Sequence, residues 1–301
     1  MNFFNLYLIA FGSAFLTTLI ALPFWRRWCL RTGLVDDPGH RKIHTEPVPL
    51  AGGLAVMTGL LVPTCLALLG IWMQRLCQKL LTHAVSPPAK FWIEHSPLKA
   101  EAMARLSHGL EWRALELAAI LFGALGMLIV GMLDDKHELS PKTKFAAQTL
   151  VALMVAAAGV RITLFVPSVI FSYAITVLWI LTVINAFNFM DNMNGLCSGL
   201  GAIGAFYFAT VAGMAGQYLV ALIASLTCGA LIGFLPYNFP RAKSFLGDAG
   251  SHLVGYLLAV LAILPHFHTS KEPRSWAVLS PLLILAVPLG DMAWVVLLRT
   301  R

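Results

Sequence analysis

Carboxylates are sparse in a chain that is 58% hydrophobic and only 12% charged, so the places where they gather carry information. The acids that could do chemistry are Asp134 and Asp135, Asp191, and Asp248, each at a short polar break between apolar runs, with Asp36 and Asp37 in reserve at a fourth break. Carboxylates collected at one membrane surface suggest a metal-dependent site. Mg2+ is commonly held by one or two carboxylates together with substrate phosphate oxygens, so a few separated aspartates suffice.

In GMLDDKHELSPKTK, Gly131 to Lys144, an apolar run ends at two acids. A helix C-terminus carries partial negative charge, so Asp134 and Asp135 are unfavourable there unless a cation or a basic ligand compensates them. Adjacent helical residues diverge by about 100°, which predicts different partners for the two. In NAFNFMDNMNGL, the residues Asn185, Asn188, Asp191 and Asn194 recur every three positions, a drifting polar stripe on a helix. Polar groups near lipid depth are costly unless they face a cavity or a partner, and this run favours a substrate cavity over simple helix–helix bonding. In YNFPRAKSFLGDAGSH, Asp248 lies between Gly247 and Gly250 at the start of the next apolar run. It reads either as an N-cap or as part of a phosphate site, because free N–H groups at a helix start attract anions and Arg241 and Lys243 add positive charge. The earliest break, GLVDDPGHRKIHTEPVPLAGG from Gly33 to Gly53, crowds Asp36, Asp37, His40, Arg41, Lys42 and His44 into a turn-rich loop. It suits an anionic ligand and an ordinary basic loop equally. Asp291 stands eight residues before Arg299, about 12 Å into the last apolar run by helical rise, and an intramembrane acid is functional by default.

These residues need elements to hold them. Mean hydropathy of +0.79 and repeated apolar stretches of about 20 residues predict an all-α, polytopic integral membrane protein across the 301 residues. Barrel alternation is missing, and spans this apolar must satisfy their backbone internally. About nine helices are expected, near 3–25, 53–73, 114–133, 145–159, 166–186, 198–214, 218–236, 249–265 and 276–298. Lys and Arg concentrate in alternate loops, which predicts an N-terminus outside and the acid-bearing breaks in the cytoplasm. The first run lacks a basic leader and is followed by Arg26 and Arg27, so it reads as an uncleaved span. One integral domain, 1–301, is expected, with 74–113 as an extracytoplasmic loop whose His83, His95 and His108 are too far apart for a local metal motif. The net charge of +7 would suggest nucleic acid for a soluble domain; spread over juxtamembrane loops, it points to membrane lipids and to no nucleic-acid partner. Five scattered cysteines, Cys29, Cys65, Cys77, Cys197 and Cys228, imply neither disulfides nor zinc.

Taken in order, the PGHRKIH-to-GG loop, the GMLDD helix end, the NAFNFMD segment and LGDAGS resemble the polyprenyl-phosphate N-acetylhexosamine-1-phosphate transferases, from about Gly33 to the C-terminus. The resemblance implies transfer of a sugar 1-phosphate, GlcNAc-1-phosphate by preference, from a UDP-N-acetylhexosamine to a polyprenyl (undecaprenyl) phosphate. UMP would be released, with Mg2+ as cofactor, for cell-envelope polysaccharide such as lipopolysaccharide. It places the protein in the inner (plasma) membrane with a cytoplasmic active site, and a homodimer is left open. It implies Asp248 as a Mg2+ ligand, and Asp191 with Asn188 shaping the metal and diphosphate site. Asp134 and Asp135 would act on the lipid phosphate or the metal shell. Lys42, Asn188, Asn194 and Lys243 would contact substrate. Asn194 stands where many bacterial relatives carry a second aspartate. The family also places a histidine-rich loop and a further span after the run that ends at Arg301, so a fragment or a variant is expected. A membrane transporter and an inactive family paralogue are the rival readings.

Overall fold

The computed structural model describes residues 3–38, 45–81, 109–163, 166–265 and 279–300. The elements are α1 (Phe3–Thr32), β1 (Val35–Asp36), β2 (Val48–Pro49), α2 (Gly52–Leu81), α3 (Ala114–His137), α4 (Pro141–Ala157), α5 (Val169–Met190), α6 (Leu196–Met214), α7 (Tyr218–Asn238), α8 (Gly247–Ile263), α9 (Ser280–Ile284) and α10 (Ala286–Arg299). Six of these, α1, α2, α3, α5, α6 and α7, are long and apolar enough to cross a membrane, which makes this a multi-pass membrane protein. Large apolar side chains such as Ile20 and Phe24 on α1, Phe122 on α3 and Ile170 on α5 remain exposed on the outside of the bundle, as lipid-facing residues do.

The expectation of about nine spans is therefore refined to six of full length among the described residues, with shorter helices beside them. The run near 145–159 begins earlier, at Pro141, because Ser140 accepts a hydrogen bond from the Thr143 amide and Pro141 takes the first helical position, where a missing N–H costs nothing. The run near 276–298 is broken at Leu285 into α9 and α10. Pro288 accounts for the break, since a proline ring clashes with the carbonyl four residues back, here that of Ile284, the last residue of α9. At the other expected boundary, α2 is apolar enough to span from Gly52 to Met73 and its helix continues to Leu81; residues 82–108 lie outside the described residues.

Helix α8 is the hub. At 17 residues it is short for a span, yet every residue from Ala249 to Ala262 is buried. A helix that is apolar all round must be enclosed, and α8 packs against α2, α3, α5, α6 and α7. Glycines permit the closeness. A Cβ on Gly53 of α2 would lie 2.6 Å from the Gly250 amide nitrogen, one on Gly131 of α3 would run into the Ala249 backbone and the Asp248 carbonyl, and one on Gly255 would lie 2.6 Å from Cα of Ile184 on α5. Small residues at helix crossings are how membrane helices gain van der Waals contact without a hydrophobic driving force between them.

A two-stranded antiparallel pairing, Val35 with Pro49 and Asp36 with Val48, folds the first polar break back on itself. Its far side is sewn to the segment before α8: Phe245 N–H donates to the Pro49 carbonyl (3.0 Å), Gly52 N–H to that of Phe245 (3.0 Å) and Gly53 N–H to that of Leu246 (3.3 Å). The first and fourth polar breaks thus form one structure at the entrance to α8.

Candidate active site

The N-terminus of α8 starts with unpaired amides, as every helix does. No side chain of its own segment caps them; Asp135, from the end of α3, does so. Its Oδ1 accepts from the Asp248 amide (2.8 Å) and its Oδ2 from the Ala249 amide (3.0 Å). Two problems noted at the sequence level cancel each other here: a carboxylate disfavoured at the C-terminus of one helix neutralises the positive end of another. Gly247, at φ +71°, makes the turn into α8, and a Cβ there would sit 2.8 Å from Asp135 Oδ2.

Asp134 takes different partners from its neighbour. It is 9% exposed, its Oδ1 accepts from the Leu139 amide (2.9 Å), and its Oδ2 forms an ion pair with Lys144. Lys144 is one turn inside α4 and also reaches Asp248 Oδ2 at 3.0 Å. The other oxygen of Asp248 accepts from Asn188 Nδ2 on α5 (2.7 Å), and that amide lies 3.0 Å from Ser251 Oγ as well. The N-cap alternative for Asp248 is therefore not what the structure displays: the cap comes from Asp135, and the Asp248 carboxylate faces α4 and α5.

A second polar layer lies one turn deeper. Asn185 Nδ2 donates to Gln148 Oε1 (3.1 Å), and Gln148 Nε2 approaches His252 Nε2 at 3.4 Å. Helices α4, α5 and α8 each give one residue to the outer layer (Lys144, Asn188, Asp248) and one, three or four positions along, to the inner layer (Gln148, Asn185, His252). Spacings of three and four keep both on one helix face, with four residues placing them about 6 Å apart in depth.

One ligand atom from each of Asp134, Asp248 and His252 lies within 4.8 Å of the others, a spacing that fits a metal ion. The Lys144 ammonium, bridging two of these carboxylates, occupies the position of a positive charge the cluster requires. The donor set therefore fits a divalent cation.

Asp191 is the C-cap residue of α5 and is half-buried. Burial first, and then the charges of Asp248 and Asp135, hold its carboxyl well above the usual carboxylate range, against the stabilising Gly247 amide. It lies near the cluster without joining the three residues grouped above. Asn194 is exposed and donates to the Pro240 carbonyl (3.2 Å), so it braces the loop after α7. Lys243 is exposed, with its carbonyl accepting from Arg26 Nε (2.9 Å). Lys42 lies outside the described residues. Asp291 is half-buried on α10 and has no ion-pair partner among the described residues. The residues that sequence reasoning missed are Lys144, Gln148, Ser251 and His252. The spacing of Lys144 and Gln148 after the Ser140-Pro141 helix start, and of Asp248 and His252, was the available signal.

Membrane-length helices wrapped around a short buried helix, with a carboxylate and lysine cluster at its mouth, define the class: a polytopic integral membrane protein with an acidic cluster at helix ends. Residues 117–266 match the profile described as Glycosyl transferase family 4. A probable undecaprenyl-phosphate N-acetylglucosaminyl 1-phosphate transferase of Bacillus subtilis is 30% identical over 97% of this chain and 71% of its own length. A decaprenyl-phosphate N-acetylglucosaminephosphotransferase of Mycolicibacterium smegmatis is 29% identical over 96% of this chain and 69% of its own length. An undecaprenyl-phosphate alpha-N-acetylglucosaminyl 1-phosphate transferase of Escherichia coli K12 is 26% identical over 96% and 70%. The chain belongs to glycosyl transferase family 4.

Proposed function

We propose that this protein transfers N-acetylglucosamine 1-phosphate from UDP-N-acetylglucosamine to a polyprenyl phosphate, releasing UMP, at the cytoplasmic face of the inner membrane. The names of the relatives support the reaction, and the cluster of Asp134, Asp248 and Lys144 at a helix mouth is the observation that carries it. The family membership gives no support to a transporter.

In the reaction a phosphate oxygen of the lipid attacks the sugar-bearing phosphorus of the donor. A new P–O–P linkage forms, the bond from that phosphorus to the bridging oxygen breaks, and UMP leaves carrying that oxygen. A phosphate monoester has a second pKa near 6, so the lipid phosphate is largely dianionic at pH 7 and needs no strong general base. A bound Mg2+ would offset the diphosphate charge in such an in-line displacement. Asp248 and Asp134 would hold it, with Asn188 fixing the Asp248 carboxylate. Lys144 then has a cation to replace it between the acids and is free to turn to substrate phosphate. Asp135 acts at one remove, by fixing the start of α8 and hence Asp248. Asp191 and Lys243 are assigned to the donor diphosphate side, with Asn194 supporting the loop between them.

The test is UMP release from UDP-N-acetylglucosamine and polyprenyl phosphate in detergent, with and without Mg2+. Mg2+-dependent release that falls at least about 100-fold in Asp248→Asn is expected, the size of losing one group aimed at developing charge. Full activity in that variant would sink the assignment.

A further inference from the structure

We propose that the groove between α4 and α5, at the membrane surface opposite the acid cluster, binds one phospholipid, with an acyl chain in the groove and an anionic headgroup on Arg161. The groove follows from unequal helix lengths. At 17 residues α4 rises about 26 Å, and at 22 residues α5 rises about 33 Å. The two are level where Lys144 and Asn188 both meet Asp248, so the excess of α5 falls at the far end, past the last turn of α4. What remains there is a space of about 490 Å3, lined by Leu153 of α4 and by Val169, Ile170, Tyr173, Ala174 and Val177 of α5. Its size and lining suit a single acyl chain.

An apolar lining alone describes any lipid-facing surface; a fixed charge at the rim sets this one apart. Ser172 Oγ donates to the Ile162 carbonyl (2.7 Å) and Thr176 Oγ1 accepts from the Ile162 amide (2.8 Å), which pins the α4–α5 connection against α5. Arg161 is thereby held beside Tyr173, its guanidinium carbon 5.8 Å from the ring centroid. Contact with the ring face orients the guanidinium without consuming its five N–H donors. Glu116 lies close by, across Gly159, but it pairs with Arg113 at 3.9 Å, and Arg161 has no ion-pair partner among the described residues. The rim therefore keeps one positive charge in excess. Arginine takes phosphate through two parallel hydrogen bonds, and the ends of membrane helices are where basic and tyrosine anchors meet headgroups. A headgroup with no ammonium of its own leaves that attraction unopposed, so an anionic phospholipid is preferred to a zwitterionic one.

The experiment uses the full chain in phosphatidylcholine vesicles, doped in parallel with a little phosphatidylglycerol or phosphatidylcholine that carries a photoreactive diazirine on an acyl chain. Crosslinked positions are mapped by peptide mass spectrometry. At Leu153 and Val169–Val177 the phosphatidylglycerol probe should label about fivefold more than the phosphatidylcholine probe, the effect of one basic residue near an anionic lipid surface. At Phe206, exposed on a helix with no basic residue, the two probes should label equally. Arg161→Gln should bring the ratio at the groove to that at Phe206, and Ala174→Trp, which fills the groove, should remove labelling there by both probes. Both positions are exposed, and the comparison of probes needs no variant, so a folding failure leaves the proposal testable. Equal labelling at the groove and at Phe206, or an unchanged ratio in Arg161→Gln, would overturn it. So would displacement of the probe by polyprenyl phosphate at lower concentration than by unlabelled phosphatidylglycerol, which would give the groove to an isoprenoid chain. A groove that takes neither probe and crosslinks to a second copy of the chain would overturn it as well.

Discussion

At the residue scale the site is a balance of charges that no single side chain satisfies. Lys144 is the counter-ion for both Asp134 and Asp248 and is itself largely buried, at 17% exposed. Removing one member of a buried ion pair typically costs about 3–5 kcal/mol, because the partner is left uncompensated. Lys144→Met should therefore lower the melting temperature of the metal-free protein markedly, and added divalent cation should recover much of the loss; a thermal shift assay in detergent reads both. Asp191 yields a pH prediction of definite sign. Its folded pKa is raised above the unfolded value, so its contribution to stability is fully present below the ordinary carboxylate range and is lost as pH rises through the raised value. The melting temperature of the metal-free protein should accordingly fall across that rise, and Asp191→Asn should flatten the fall. An unchanged pH profile in the variant would place the titrating group elsewhere.

At the element scale, α8 does the positioning. Asp248, Ser251 and His252 are held on one short helix, and α3, α4 and α5 bring Asp134, Lys144 and Asn188 to it. That arrangement depends on how closely α3 approaches α8. A methyl group at Gly131 would meet the backbone of Ala249 and the carbonyl of Asp248, which cannot give way as a side chain end can. Gly131→Ala should cost about 1–3 kcal/mol, typical of overpacking. It should also reduce turnover by shifting Asp134 away from Asp248. Gly12→Ala is the control, since nothing lies within 4 Å of a Cβ at that position. Equal melting temperatures for the two variants would show that the α3–α8 crossing is looser than described.

At the scale of the whole molecule, six membrane-length helices surround α8, and the polar breaks meet at its start. Anionic lipid and a polar co-substrate can reach such a site only from the membrane surface that carries it. The proposed orientation puts that surface in the cytoplasm. Single cysteines placed by Lys136→Cys and Arg161→Cys, at opposite ends of the connection through α4, test it in a background whose own five cysteines have been replaced. A membrane-impermeant thiol reagent should label the Arg161 position in intact cells and the Lys136 position only after the membrane is opened. The reverse pattern would invert the topology and move the site outside.

Much of this was readable from sequence by itself, because hydropathy and caps are local properties. Long apolar runs require helices wherever they occur, and the four polar breaks had to fall at helix ends, since lipid does not solvate an aspartate. The splitting of the last run at Pro288 and the early start of α4 at Ser140 and Pro141 were also written locally, in proline chemistry. The partners were not. Lys144 and Asp248 are 104 residues apart, and Asp135 caps a helix through the amide of Asp248, 113 residues later. Spacing within a helix shows which residues share a face, but not which helix that face meets. Only the packing of α3, α4 and α5 around α8 decided that Asp135 would be a cap, that Lys144 would stand between two acids, and that a buried histidine would end up beside them. Those contacts join charges and helix ends that are each unfavourable alone, so they exist only once the whole bundle has closed.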